Sequence, residues 1–229
     1  ATLAPAPLEF AESANPQTSP VSDTDAVEPT PWFSWQTLLL CGWALGLAAV
    51  SVPIGIGLTR NRRLTRSASP VCDGEDAVLV EQLAGQIALV RPVRVLETQE
   101  SLVPMTWGVL RPIVMLPATW RNWTSQRRRL VLIHELAHVK RRDVAFQLLG
   151  RIACAVYWFH PLAWYALWRL RIERELACDD CVLMAGERPS DYAQQLLEIA
   201  RTYRMPALPG AVAIAHPGSL EQRVRAMPD

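Results

Sequence analysis

The sequence predicts an α+β fold, mostly helical, anchored to a membrane by one span, with a small β-sheet beside a central helix. Three observations predict it. An uncharged run extends from Pro29 to Thr59. Residues 92–117 hold short segments with the alternation and bounding prolines of strands. Most of the rest, including the stretch after Thr124, carries apolar residues at helical spacing.

Composition sets the outer limits. The chain has 229 residues, of which 50% are hydrophobic and 20% charged, which excludes disorder for most of its length. A formal net charge of +1 gives no global electrostatic case for binding nucleic acid. Five cysteines, an odd number, argue against a disulfide scaffold. The mean hydropathy of +0.10 points to a membrane segment. Lacking an initial Met, the sequence reads as a piece of something longer.

Residues 1–31 read as an acidic, Pro-rich loop. They hold Glu9, Glu12, Asp23, Asp25 and Glu28 with no Lys or Arg, and too little apolar surface to offset the entropy of ordering. Residues 32–58 read as a transmembrane helix. Thr37 to Leu58 matches the ~20 apolar residues that span ~30 Å of hydrocarbon, and Trp32, Phe33 and Trp35 suit an interfacial belt. Pro53, Gly55 and Gly57 can kink its last turns. Arg60, Arg62, Arg63 and Arg66 follow the span and no basic residue precedes it, so the positive-inside rule places residues 59–229 in the cytoplasm and 1–31 outside. A reducing cytoplasm also suits unpaired thiols.

Residues 73–91 read as a helix with Asp73 as N-cap. Residues 92–98 alternate as a strand, and 102–117 read as two strands around Trp107-Gly108. A long helix is expected to start at the N-cap Thr124 and to run past Asp143. Residues 144–170 are apolar but interrupted by Gln147, Arg151, His160 and Pro161, which fits a buried or membrane-adjacent helix pair better than a second span. A helix from about Leu162 to Met184, another from Asp191, and a Pro/Gly-rich loop from Met205 to Gly218 complete the chain.

The sharpest chemical signal is His134-Glu135-Leu136-Ala137-His138, an HExxH on an expected helix. Residues four apart share a helix face, so both imidazoles can meet one cation. Zinc suits imidazole ligands and brings the pKa of bound water to about 7, and Glu135 stands where a general base is needed. The flanks are apolar, so the imidazoles are expected to be buried and costly without a metal. A catalytic zinc takes a third protein ligand. Glu173, Glu175, Asp179, Asp180, His160, Cys178 and Cys181 are candidates, most of them on IERELACDDCVL. Glu175 is favoured as ligand, with Asp179, four residues on and on the same face, accepting an imidazole N–H from behind. Asp143, five residues after His138, is expected to orient the helix or a ligand. Cys178 and Cys181 form a lone CxxC, which reads as buried helix thiols. His160 and His216 read as structural, with an oxyanion role open for His160.

The blocks VPMTWGVLRPIVMLPATW, HELAHVKRRD, WFHPLAW, ELACD and SLEQRVRAM resemble, in order, the BlaR/MecR-type membrane metallopeptidases. The resemblance covers residues 59–229, and the preceding span fits it. It implies a gluzincin-like minimal metallopeptidase similar to the HtpX type, in a bacterial cytoplasmic membrane with its active site on the cytoplasmic side. It implies zinc on His134, His138 and Glu175 with Glu135 as catalytic base. The implied substrate is a transcriptional repressor, another regulator or the chain itself. Two positions depart from the family pattern: Arg127 stands where many relatives have an acidic capping residue, and His160 where an Asn is frequent. No residues here read as a β-lactam sensor.

Two rival readings remain at this level. A non-catalytic signalling module would use zinc only to hold helices together, but such a site does not need Glu135. A DNA-binding regulator is suggested by Arg127–Arg129 and Lys140–Arg142, but no nucleic-acid motif accompanies them, and none is expected to bind directly.

Overall fold

The computed structural model describes residues 34–71, 74–100, 103–202 and 212–213. Contacts group the chain into a unit ending at Leu39 and a unit from Leu40 onward. Asp73 and His216 lie outside the described residues, as do nearly all of residues 205–218.

Helix α1 runs Trp35–Ser67 and α2 Gly74–Gln86. The strands are β1 (Ser69–Pro70), β2 (Arg94–Thr98), β3 (Met105–Trp107), β4 (Ile113–Pro117) and β5 (Val212–Ala213). After a 3₁₀ turn at Ala118–Asn122 come α3 (Ser125–Arg141), α4 (Asp143–Val156), α5 (Pro161–Met184) and α6 (Pro189–Thr202). This is the expected α+β fold, mostly helical with a small sheet beside the HExxH helix. The sheet order is β1-β2-β4-β3-β5, with β2 and β4 parallel and the other pairs antiparallel.

The sheet is covered on both faces, which explains why β4 reads as an unbroken apolar run. Val114 and Leu116 point into the main core, with Leu83 of α2, Leu130 to Leu136 of α3, and Leu196 and Ile199 of α6. Ile113 and Met115 point the other way, onto Leu96, Met105, Trp107 and Leu64 near the end of α1. Gly108, with φ of 89°, turns the chain between β3 and β4, where a side chain would meet the Arg111 carbonyl.

Helix α1 does not stop where the apolar run stops. It continues through Arg60, Arg62, Arg63 and Arg66 to Ser67, so one helix joins the uncharged segment to the sheet. It is the one described helix long and apolar enough to cross a membrane. The expected pair in 144–170 is α4 and the start of α5. Its tip is fastened to α1: Trp43 Nε1 donates to the Val156 carbonyl at 3.0 Å, and the Trp158 indole covers Gly46 so closely that no side chain fits there.

The expectation of one helix running past Asp143 is corrected. Thr124 does cap α3, its hydroxyl accepting from Arg127 N at 3.2 Å. The helix, however, ends at Arg141. Arg142 is left-handed, with φ of 58°, and its N–H goes to the His138 and Val139 carbonyls. Asp143 then opens α4 in a new direction. Arg127 itself, without an acidic cap, lies over the Trp123 ring at 4.4 Å and pairs with Glu198 at 3.4 Å.

Candidate metal centre

Helix α3 carries His134 and His138 into the core because Leu130 to Ile133, Leu136 and Val139 bury its other positions against the sheet and α2. Both imidazoles are fully buried, their rings edge to face with centroids 4.8 Å apart. Helix α5 packs beside α3 and supplies Glu175, also buried. Its Oε2 lies 3.7 Å from His134 Nε2 and its Oε1 lies 4.0 Å from His138 Nε2. One ligand atom from each of the three residues falls within 4.8 Å of the others.

These separations suit a shared cation. Two ligand atoms each about 2.1 Å from one zinc are at most about 4.2 Å apart, and both Glu175 distances are shorter than that. His138 Nε2 is buried and has no hydrogen-bond partner among the described residues. Burial pushes the His138 pKa down to about 4, although the Asp143 hydrogen bond opposes the shift. The ring is therefore neutral at ordinary pH and keeps a lone pair for a metal.

Each candidate ligand is held from behind. His138 Nδ1 meets Asp143 Oδ2 at 2.8 Å. The break at Arg142 makes this contact: in a continuous helix, residues five apart point about 140° away from each other. His134 Nδ1 meets Tyr192 OH at 2.8 Å and Asp179 Oδ1 at 3.3 Å, and the Tyr192 hydroxyl donates to Asp179 Oδ1 at 2.7 Å. Arg174 Nη2 donates to Glu175 Oε1 at 3.2 Å, while its Nη1 donates to Gln147 Oε1 at 2.9 Å. Glu135 is buried on the β3 side, where the Thr106 hydroxyl donates to its Oε2 at 2.6 Å.

A second cluster, His138, Asp143 and Cys178, also places three possible ligand atoms together. It offers less to a metal. Asp143 already takes His138 Nδ1, and burial, reinforced by Asp143 and Glu175, pushes the Cys178 thiol up. Cys178 and Cys181 are both free thiols.

Of the residues singled out from sequence, His134, Glu135, His138, Glu175, Asp179 and Asp143 come together. His160 does not. It is exposed at the N-terminus of α5, fifteen residues before Glu175, which along a helix is about 22 Å. An oxyanion role for it is withdrawn. Glu173 and Asp180 are exposed on the outer side of α5. Sequence reasoning missed Thr106, Gln147, Arg174 and Tyr192. Thr106 lay within a block already singled out, but no spacing links Tyr192 to α3, since α6 reaches His134 only through the tertiary fold.

Comparison with known proteins matches the sequence to a family. Regulatory protein BlaR1 of Bacillus licheniformis is 39% identical over 80 residues, which are 35% of this chain and 13% of that protein. The methicillin resistance mecR1 protein of Staphylococcus aureus (strain Mu50 / ATCC 700699) is 27% identical over 81 residues, 35% of this chain and 14% of that protein, and the protein of that name from Staphylococcus epidermidis gives the same figures. The matched segment is thus a small part of each relative's length. The model of the family described as BlaR1 peptidase M56 matches residues 4–227, and the chain belongs to that peptidase family.

Proposed function

We propose that this chain is a membrane-anchored zinc endopeptidase that cleaves a cytoplasmic protein in signal transduction. The observation that carries the reading is the convergence of His134, His138 and Glu175, with Glu135 alongside and its carboxylate fixed by Thr106. His134, His138 and Glu175 would hold the zinc, which when bound supplies Lewis-acid polarisation and an activated water. Asp143 and the Asp179–Tyr192 pair orient the two rings by accepting or sharing the proton at Nδ1, which turns each Nε2 toward Glu175. Arg174 holds the Glu175 carboxylate, and Gln147 holds Arg174. Glu135 accepts the proton of the attacking water at its carboxylate and later passes it to the leaving amine.

An extended protein substrate is supported by the edge of β3, the strand that carries Thr106. That edge already pairs antiparallel with β5 of the same chain, Met105 opposite Ala213 and Thr106 opposite Val212. A strand-addition site beside the base suits a peptide whose backbone must be straight to be cut. The named relatives, a regulatory protein and resistance proteins, support a regulator such as a transcriptional repressor as the substrate. Placement in the bacterial cytoplasmic membrane with the site on the inner side rests on α1 and on the four arginines that follow its uncharged run.

The test is Glu135→Gln. It is expected to keep zinc and fold while hydrolysis falls about 10²–10⁴-fold. Zinc analysis, melting temperature and a proteome-wide cleavage comparison read the three quantities. Undiminished proteolysis with undiminished signalling would favour the non-catalytic module, and lost zinc would make Glu135 a ligand.

A further inference from the structure

A cavity of about 390 Å³ lies between α1, the β3–β4 turn and the start of α4. Its α1 wall begins at Leu58, the last apolar residue before Thr59 closes the uncharged run. The lining is mostly apolar, with Trp107, Val109, Ile113 and Leu148 among its walls. Into it faces Asn61, which is 3% exposed and whose Nδ2 and Oδ1 both have no hydrogen-bond partner among the described residues. A buried amide left this way is costly, so it marks a place where a polar ligand atom belongs. Arg62, Arg66 and Arg151 line the same cavity, and none has an acidic partner among the described residues. Burial, with the positive charges of Arg171 and Arg174, pushes the Arg151 pKa down.

We propose that this cavity binds one anionic phospholipid of the inner leaflet, its phosphate held by Arg62, Arg66 and Arg151, its glycerol backbone by Asn61 and an acyl chain by the apolar walls. An apolar slot with a guanidinium rim, at the level where a membrane helix leaves hydrocarbon, has the chemistry of such a lipid. Asn61 can donate to an ester or phosphate oxygen through Nδ2 and accept from a headgroup hydroxyl through Oδ1. The site borders the catalytic machinery and shares one wall residue with it, Gln147, which holds Arg174. Trp107 follows Thr106, which holds Glu135, and Val144 follows Asp143, which holds His138. The proposal rests on reading α1 as a membrane span.

The experiment uses the full chain, extracted from membranes in mild detergent and titrated with phosphatidylglycerol, phosphatidylcholine or inorganic phosphate, with bound lipid counted by native mass spectrometry. One phosphatidylglycerol is expected to bind at least about tenfold more tightly than phosphatidylcholine. Arg62→Gln/Arg66→Gln/Arg151→Gln should abolish that preference, and Asn61→Leu should weaken binding of both lipids. Arg60→Gln/Arg63→Gln, two arginines of the same helix that do not line the cavity, should leave it unchanged. Far-ultraviolet circular dichroism and zinc content certify that each variant is folded. Equal losses from the two arginine sets would reduce the effect to general surface charge and overturn the site. Displacement by inorganic phosphate alone would make it a phosphate site and overturn the lipid assignment. Recovery of the chain from the soluble fraction would overturn the membrane reading itself, whereas membrane partition without lipid preference would overturn only the cavity proposal.

Discussion

The two halves of α5 invert each other. From Ile172 to Val182 the polar residues Arg174, Glu175 and Asp179 are buried. From Leu162 to Trp168 the large apolar residues Leu162, Trp164, Tyr165 and Trp168 are exposed. Helix α4 repeats the inversion, with Asp143 and Gln147 buried and Phe146, Leu149 and Ile152 exposed. Buried polar groups are tolerated in the first region because each meets a partner, and Glu175 among them is placed where it could hold a cation. Contiguous exposed apolar surface in the second marks a contact with something other than water. The tip of that second region is fastened to the uncharged part of α1 through Trp43 and Gly46. Under the proposed membrane placement of α1, lipid is what covers it. One helix thus buries its polar residues at one end and exposes its large apolar residues at the other.

The largest expected effect breaks the polar half. Under the proposed reading Glu175→Ala should lose most of the zinc and all measurable hydrolysis, because it removes one of the three proposed ligands. His134→Ala should lose zinc, activity and stability together, since metal binding is coupled to folding. A Glu175→Ala chain that retains its full zinc would move the third ligand elsewhere.

Asp179→Ala sharpens the comparison by touching only the support behind His134. Its zinc affinity is expected to fall about 10–100-fold while the site still fills at high metal. A competitive chelator titration measures this. If Asp179→Ala empties the site and Glu175→Ala leaves it filled, the two roles are exchanged.

Acid should separate the halves as well. The folded pKa of His138, about 4, lies below its ordinary value of 6.5. The unfolded chain therefore binds a proton that the folded one refuses. This contribution to stability is fully present above pH ~6.5 and is lost as pH falls toward ~4, by at most about 1.4 kcal/mol per pH unit. Denaturant unfolding of the metal-free chain across that window should show the decline, and His138→Gln should flatten it. A flat wild-type curve would mean that the ring is not buried neutral.

The smallest effects lie in the apolar half. Gly46→Leu should force Trp158 away from α1 and cost about 1–3 kcal/mol, as overpacking does. Trp43→Phe should cost about 1 kcal/mol, one hydrogen bond. Thermal unfolding in detergent reads both, and zinc affinity should not change in either. A parallel loss of zinc would show that the two halves are not independent.

Much of the candidate metal centre was legible from residue order. The i, i+4 pair at His134 and His138 and the Glu175–Asp179 pair are local helical facts, readable from spacing alone. Asp143 was legible as a candidate but not as a contact, because the left-handed turn at Arg142 has no Gly or Pro to announce it. Tyr192 and Gln147 were not legible, because their partners sit on other helices, and Arg174, although beside Glu175 in sequence, is held there by Gln147 of α4.

The sequence by itself determined the α+β class, the uncharged segment, the HExxH helix with its Thr124 cap, and a candidate set of ligands. Each of these follows from local periodicity, local propensity or transfer free energy, which depend on near neighbours in the chain. Only the tertiary structure decided that Glu175 meets both imidazoles, that Asp143 and Tyr192 hold their far sides, and that β5 pairs with β3 beside Thr106. It also decided that the outer half of α5 stays uncovered by protein and that Asn61 is buried without a partner. Those outcomes depend on how α3, α4, α5 and α6 cross. The crossings are set by ridges and volumes summed over the whole core, a quantity that no short window of residues contains.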